Sequence, residues 1–190
     1  MSLEGDVVIL REERRDDLDF LRSLRNSMYT QAWSKALPPD FTAAMYEKRF
    51  EAREFSFDPE EGRFVIVHKE TGQRAGLIGF NWLDRRMSAT VGISVAVEFW
   101  GTGVALDAQE VLLRFLFHQM GVRSVRLWTT GGNEQAIALA HKSGFQEAVR
   151  VREAIFKDGR LQNNVLMDLL REEYYAQHPE LEDELPALVK

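Results

Sequence analysis

The chain contains no cysteine. Disulfides, thiolate nucleophiles, a thiol acyl-enzyme and cysteine-ligated zinc are excluded together. Histidine is scarce. His68, His118, His141 and His178 stand far apart without metal-ligand spacing, so no metal is expected. Basic runs are absent. Thirty acidic against 24 basic residues leave a net charge of −6, which argues against a nucleic-acid partner. No apolar run approaches the roughly 18 residues of a membrane span, and the first residues carry no signal-peptide core. A cytoplasmic protein with no membrane partner is the expectation. Within these exclusions, 190 residues at 45% apolar and 28% charged suit one domain, residues 1–190, with a full core. Met1-Ser2-Leu3 is assigned to no element.

What is present is organised around residues 91–116. Val91, Ile93, Val95 and Val97 are β-branched and apolar, which predicts a buried strand. Trp100-Gly101-Thr102-Gly103-Val104-Ala105 follows. Val104, Ala108, Val111, Leu112 and Phe115 then fall on one face of a helix. The first turn of a helix presents unbonded amides and partial positive charge, which suits a phosphate. Glycine lets the anion approach the backbone. A plain tight turn would also satisfy the pattern. No Gly-Lys-Ser/Thr follows, so it is not a Walker loop. A third glycine and a downstream acidic strand end are missing, so it is not a dinucleotide fingerprint.

The rest of the chain reads in order. Asp6–Arg11 is a strand. Asp16–Met28 is an amphipathic helix with Leu18, Leu21, Leu24 and Met28 inward, its early acids suiting the dipole. Pro38-Pro39 breaks the chain, Asp40 caps a helix over Phe41–Arg53, and Asp58–Gly62 is a loop. Arg63–Lys69 and Arg74–Leu83 form a hairpin. A turn at Asp84-Arg85-Arg86 leads to the strand Ser88–Val97. A helix over Thr102–Gln119 ends at Gly121, a left-handed C-terminal position. The strand Val122–Thr130, the helix Glu134–Lys142 and the strands Phe145–Phe156 and Leu161–Leu170 follow, the last two joined at Asp158-Gly159. An acidic helical tail occupies 171–190. This is an α/β (α+β) chain: a mixed, largely antiparallel sheet of about seven strands, helices on both faces. The strands beginning at Ser88 and Val122, joined through a helix, should be parallel neighbours.

The element order and the turn at Trp100–Ala105 resemble the GNAT superfamily of acyl-CoA-dependent N-acyltransferases. Its signature is Gln/Arg-x-x-Gly-x-Gly/Ala. Gly103 and Ala105 match, while Trp100 replaces the Gln or Arg. A second family motif stands as Asn133-Glu134-Gln135-Ala136, ending Lys142-Ser143-Gly144-Phe145. The hairpin around Asp158-Gly159, with Asn163, Asn164 and Met167, is similar to the branch of ribosomal-protein N-terminal and spermidine/spermine acetyltransferases. Leu10-Arg11 followed by Asp16-Asp17-Leu18 is also similar to it. The resemblance covers about residues 6–175.

It implies acetyl-CoA as co-substrate and direct transfer to a primary amine, either a protein N-terminal α-amine or a small amine or polyamine. It also implies that the strands before Gly101 and Asn133 splay apart. Pantetheine would then pair with Val95, Ala96 and Val97, and the pyrophosphate would rest on Gly101, Thr102, Gly103, Val104 and Ala105. Asn133 bonds pantetheine or caps its helix. Trp100 flanks the phosphates or packs. A homodimer through the C-terminal strands is compatible with the family pattern.

The family's proton donor, a Tyr seven residues after the motif Asn, is here Ala140, and its frequent Glu early in the strand is Thr90. The catalytic residues are therefore unassigned, with Ser94, Glu98 and His141 as candidates; Asn81 and Trp82 could line an acceptor site. Holding an alkyl amine neutral at pH 7 costs about 4.6 kcal/mol, and a peptide α-amine only about 1–1.4. A chain with Thr90 at the family's Glu and Ala140 at its Tyr, leaving protons to water, is suited to the second, whereas the acidic composition pulls toward a polyamine. Ala140 also fits a CoA-binding module that has lost catalysis. A nucleotide-binding protein of another α/β type would use the same glycine turn.

Overall fold

The computed structural model describes residues 2–33, 41–54, 61–84 and 87–182. The proline break and cap at 38–40, most of the 58–62 loop, the turn at 85–86 and the end of the tail lie outside the described residues.

The strands are β1 (Ser2–Glu4), β2 (Val8–Glu12), β3 (Glu61–His68), β4 (Arg74–Asp84), β5 (Ser88–Val95), β6 (Ser124–Thr130), β7 (Gln146–Lys157) and β8 (Arg160–Leu170). The helices are α1 (Leu18–Asn26), α2 (Ala43–Glu54), α3 (Val104–Arg114), α4 (Glu134–Lys142), α5 (Arg171–Gln177) and α6 (Pro179–Glu182). All eight strands form one sheet, ordered β1-β2-β3-β4-β5-β6-β8-β7. The expected count of about seven is corrected by β1, which pairs Ser2 with Arg11 and Glu4 with Ile9. Three residues with one apolar side chain carry no readable alternation.

Every pairing is antiparallel except β5–β6, which is parallel as the intervening helix requires. Helices cover both faces. Val104, Ala108, Leu112 and Leu113 of α3 share a core with Leu10, Ile66, Ile78, Val91 and Val95. Leu18 and Leu21 of α1 and Tyr46 of α2 pack on Val65, which alternation points the other way. Met28 is corrected: α1 ends at Asn26, and Met28 is exposed.

Three further boundaries move. β3 starts at Glu61, so Glu61 and Gly62 belong to a strand rather than a loop. β5 ends at Val95, and a 3₁₀ turn at Val97–Phe99 replaces its expected last residues. The central helix starts at Val104, and Phe115–Gln119 forms a π turn in which the Met120 amide donates to the Phe115 carbonyl at 2.9 Å. The wider turn lets Phe115, Leu116 and Phe117 all be buried. Gly121, at φ 70°, closes it as expected. Asp158 and Gly159 both have positive φ, the requirement of a type I′ hairpin turn.

Two carboxylates, Asp17 buried and Asp107 half-buried, fix the frame. Asp17 was expected to favour a helix dipole; instead it is fully buried between strands. Arg11 of β2 reaches it through two bonds of 2.7 and 2.8 Å, Arg74 of β4 through one of 2.6 Å, and the Arg14 amide donates at 2.8 Å. Burial alone would raise the Asp17 pKa, but the bonds from Arg11, Arg14 and Arg74 bring it down to about 2. Asp107 sits in the first turn of α3 and accepts from the amides of Asp6, Val7 and Val8 at 3.0, 2.7 and 2.8 Å. It pins the start of that helix to the head of β2.

Candidate active site

β5 and β6 pair only from Ser88–Ser124 to Thr90–Arg126. Beyond Thr90 they separate. β5 stays bonded to β4 up to Val95, so its other edge is left open from Val91 onward. β6 stays bonded to β8 as far as Thr130. The splay implied by the sequence resemblance is therefore present, and it opens a cleft of about 560 Å³. Gly92, Ile93 and Ser94 of β5, Leu127, Trp128 and Thr129 of β6, and Asn133 line it. A Cβ built on Gly92 meets nothing within 4 Å, so the strand backbone there stands bare toward the opening.

Past Val95 the chain turns through Val97–Phe99 to the glycine turn. Gly101 and Gly103 have φ of 76° and 89°, which a β-carbon disfavours by about 1–2 kcal/mol. Among the described residues, the amides of Gly101, Gly103, Val104, Ala105 and Leu106 make no backbone hydrogen bond; the first helical donor to find a carbonyl is Asp107, bonded to Gly103 at 3.0 Å. Gly101, Thr102 and Gly103 are exposed. The result is a cluster of free N–H groups at the positive end of α3.

The turn is braced internally. Trp100 Nε1 donates to the Val95 carbonyl at 2.9 Å, and the Thr102 hydroxyl donates to the Phe99 carbonyl at 2.7 Å. Of the three residues expected to pair with pantetheine, the Val95 carbonyl accepts from Trp100 and the Ala96 amide donates to Ala75 of β4 at 2.8 Å. The edge that β6 leaves open begins earlier, at Val91. Asn133 acts as a cap, its Oδ1 accepting from the Ala136 amide at 3.2 Å, and it lines the cleft as well.

The catalytic candidates separate. Ser94 lies in the cleft. Glu98 is exposed in a neighbouring groove with Arg11, Arg14 and Arg74. His141 is exposed, with Nδ1 3.0 Å from the Phe145 carbonyl, closing the end of α4. Asn81 lines the cleft; Trp82 packs on Phe80 with centroids 4.9 Å apart. Ala140 is fully buried.

The structure adds a residue that the sequence did not reveal. Gln109 of α3 lines the cleft at 4% exposure, and its Nε2 has no hydrogen-bond partner among the described residues. A buried donor without an acceptor costs about 1–3 kcal/mol, so its retention beside an open strand edge points to a ligand acceptor. One glutamine in an amphipathic helix carries no sequence signal for that role.

The model of the acetyltransferase (GNAT) domain matches residues 8–146. The spermidine N(1)-acetyltransferase of Escherichia coli (strain K12) is 27% identical over 177 residues, covering 90% of each chain. The uncharacterized N-acetyltransferase p20 of Bacillus licheniformis is 28% identical over 122 residues, 64% of this chain and 68% of that one. Among solved structures, spermidine N-acetyltransferase from Vibrio cholerae in complex with CoA and spermine superposes with a TM-score of 0.81. It has 24% identity over 90% of this chain and 99% of its own, and it shares the fold. With the splayed strands, the glycine turn and the family match in agreement, the chain belongs to the acetyltransferase (GNAT) domain family.

Proposed function

We propose that this acetyl-CoA-dependent N-acetyltransferase holds its co-substrate along one continuous track. Pantetheine pairs with the open edge of β5 at Val91–Ser94, and the pyrophosphate sits on the free amides of Gly101, Gly103, Val104, Ala105 and Leu106. Gln109 Nε2 donates to a carbonyl of the arm. The observation that carries the reading is two groups of unfilled backbone sites flanking one cleft, the β5 edge that β6 leaves open beyond Thr90 and the free amides at the first turn of α3.

In the reaction, the lone pair of a neutral primary amine attacks the thioester carbonyl carbon. A C–N bond forms, the C–S bond breaks, the amine loses a proton to solvent, and the CoA thiolate takes one up. Placing the two reactants together supplies about 7–11 kcal/mol of the barrier reduction. Backbone N–H groups of β5 polarise the carbonyl as charge develops on its oxygen. Ser94 is the hydroxyl placed to pass a proton through water. Thr90 in place of the family's Glu leaves the amine to reach its neutral form largely unaided, which favours an α-amine over a polyamine by about 3 kcal/mol, and Ala140 in place of the Tyr leaves the thiolate to take its proton from water.

The reading places the protein in the cytoplasm; among the described residues no helix is long and apolar enough to cross a membrane. It also offers the outer edge of β7, last in the sheet and exposed along most of its length, to a second copy of the chain. The test is acetyl-CoA consumption over a panel of peptides, polyamines and aminoglycosides. Turnover of an amine supports transfer. Tight acetyl-CoA binding with no turnover of any amine supports the second reading, a CoA-binding module without catalysis, to which the buried methyl of Ala140 points.

A further inference from the structure

Although the chain as a whole is acidic, the described wall of the cleft away from the glycine turn is not. Arg25 at the end of α1, Arg49 and Arg53 of α2 and Arg63 of β3 line it; among its described lining residues the only carboxylate is Glu61. The local ion pairs are unevenly shared. Arg53 takes Glu61 at 2.7 Å and Glu13 at 3.3 Å. Arg63 has only the same Glu13, at 3.5 Å, and its buried Nε makes no hydrogen bond among the described residues. Arg49 is exposed on α2 and forms no ion pair among the described residues. Burial depresses the Arg63 pKa, the mark of a guanidinium short of compensating charge. Among the described residues, Arg53 and Arg63 thus share Glu13 and Glu61 while Arg49 pairs with neither, which leaves the wall with more guanidinium than carboxylate; Arg63 lies on the same sheet face as Ser94.

We propose that the amine acceptor carries a carboxylate, held by Arg49 and Arg63, and that the cleft selects such amines over polyamines. This rests on the acetyl-transfer reading above and narrows its acceptor. A guanidinium offers paired N–H groups matched to a carboxylate. A polyamine would bring like charge to the same wall.

The test measures kcat/KM for matched amines with acetyl-CoA. One pair is the dipeptide Ala-Gln with a free terminal carboxylate against its C-terminal amide. The other is Ala-Glu-Ala-Ala amide against Ala-Gln-Ala-Ala amide, which places the charge on a side chain instead. Spermidine completes the set. In at least one pair the carboxylate form should exceed its neutral twin by about ten-fold or more, with spermidine below both, and the pair that responds identifies the source of the charge. Arg49→Gln, which alters an exposed side chain, and Arg63→Gln should each draw that ratio toward one. Ratios near one in both pairs of the wild type, or spermidine as the best acceptor, overturn the inference and leave acetyl transfer standing. If acetyl-CoA binds and no amine is turned over, transfer itself fails and the inference with it.

Discussion

Asp17 decides how the fold answers acid. Its carboxyl titrates at about 2 in the folded chain, below the roughly 3.9 of an unfolded aspartate. Protons therefore bind the unfolded chain more tightly. The stabilisation is complete above about pH 4 and is lost as pH falls toward 2, a difference worth about 2.5 kcal/mol. Asp17→Asn should lower stability at pH 7 by about 2–4 kcal/mol, because Arg11 and Arg74 lose their counter-charge and an NH₂ donor replaces one of the two acceptor oxygens. It should also flatten the pH dependence of urea midpoints between 4 and 2; an unchanged slope would mean that other carboxylates carry it. Gln109 behaves oppositely. Gln109→Leu should leave the ligand-free protein equally or more stable, since an orphan donor is removed. It should raise the Kd for acetyl-CoA about 3–10-fold. A loss of stability with unchanged Kd would make Gln109 a packing residue. Neither role was legible in the sequence. Asp17 beside Asp16 reads as dipole charge, and its partners lie on two strands that only the sheet brings together.

At the scale of elements, β5, the glycine turn and α3 were legible because their signals are local: alternation, two glycines, then helical spacing. Gly101 and Gly103 do adopt the left-handed backbone the turn needs. The parallel partner and the Asp158-Gly159 hairpin followed from equally local rules. What failed had no local signal. β1 is too short to alternate, and the end of β5 yields to a 3₁₀ turn at Val97–Phe99, which the apolar run through Val97 does not announce. The turn can be tested as a unit. Acetyl-CoA at 100 times its Kd should stabilise the wild type by about 2.7 kcal/mol, a Tm rise of about 5–10 °C for a chain of this length. Gly103→Asp sets a carboxylate among the free amides, where open space surrounds the position of its Cβ. It should reduce that rise to within about a degree. A rise matching the wild type would remove the turn from the binding site.

Across the whole molecule, composition misleads about the cleft. A net charge of −6 suggests a cationic partner, yet Arg25, Arg49, Arg53 and Arg63 gather from two helices and a strand on one wall. No window of sequence contains that cluster. Each like-charge pair at about 6 Å costs roughly 3 kcal/mol in a partly buried site, enough to outweigh the average surface. The proposed function accordingly depends on two features that folding alone brings into line: an open strand edge and a helix end with unfilled donors. Backbone amide shifts report on both at once. In a titration with CoA followed by ¹⁵N-resolved NMR, the amides of Gly101, Gly103, Val104 and Ala105 should show the largest changes, with Gly92–Ser94 next. Saturable binding that leaves the Gly101–Ala105 amides unmoved would contradict the account.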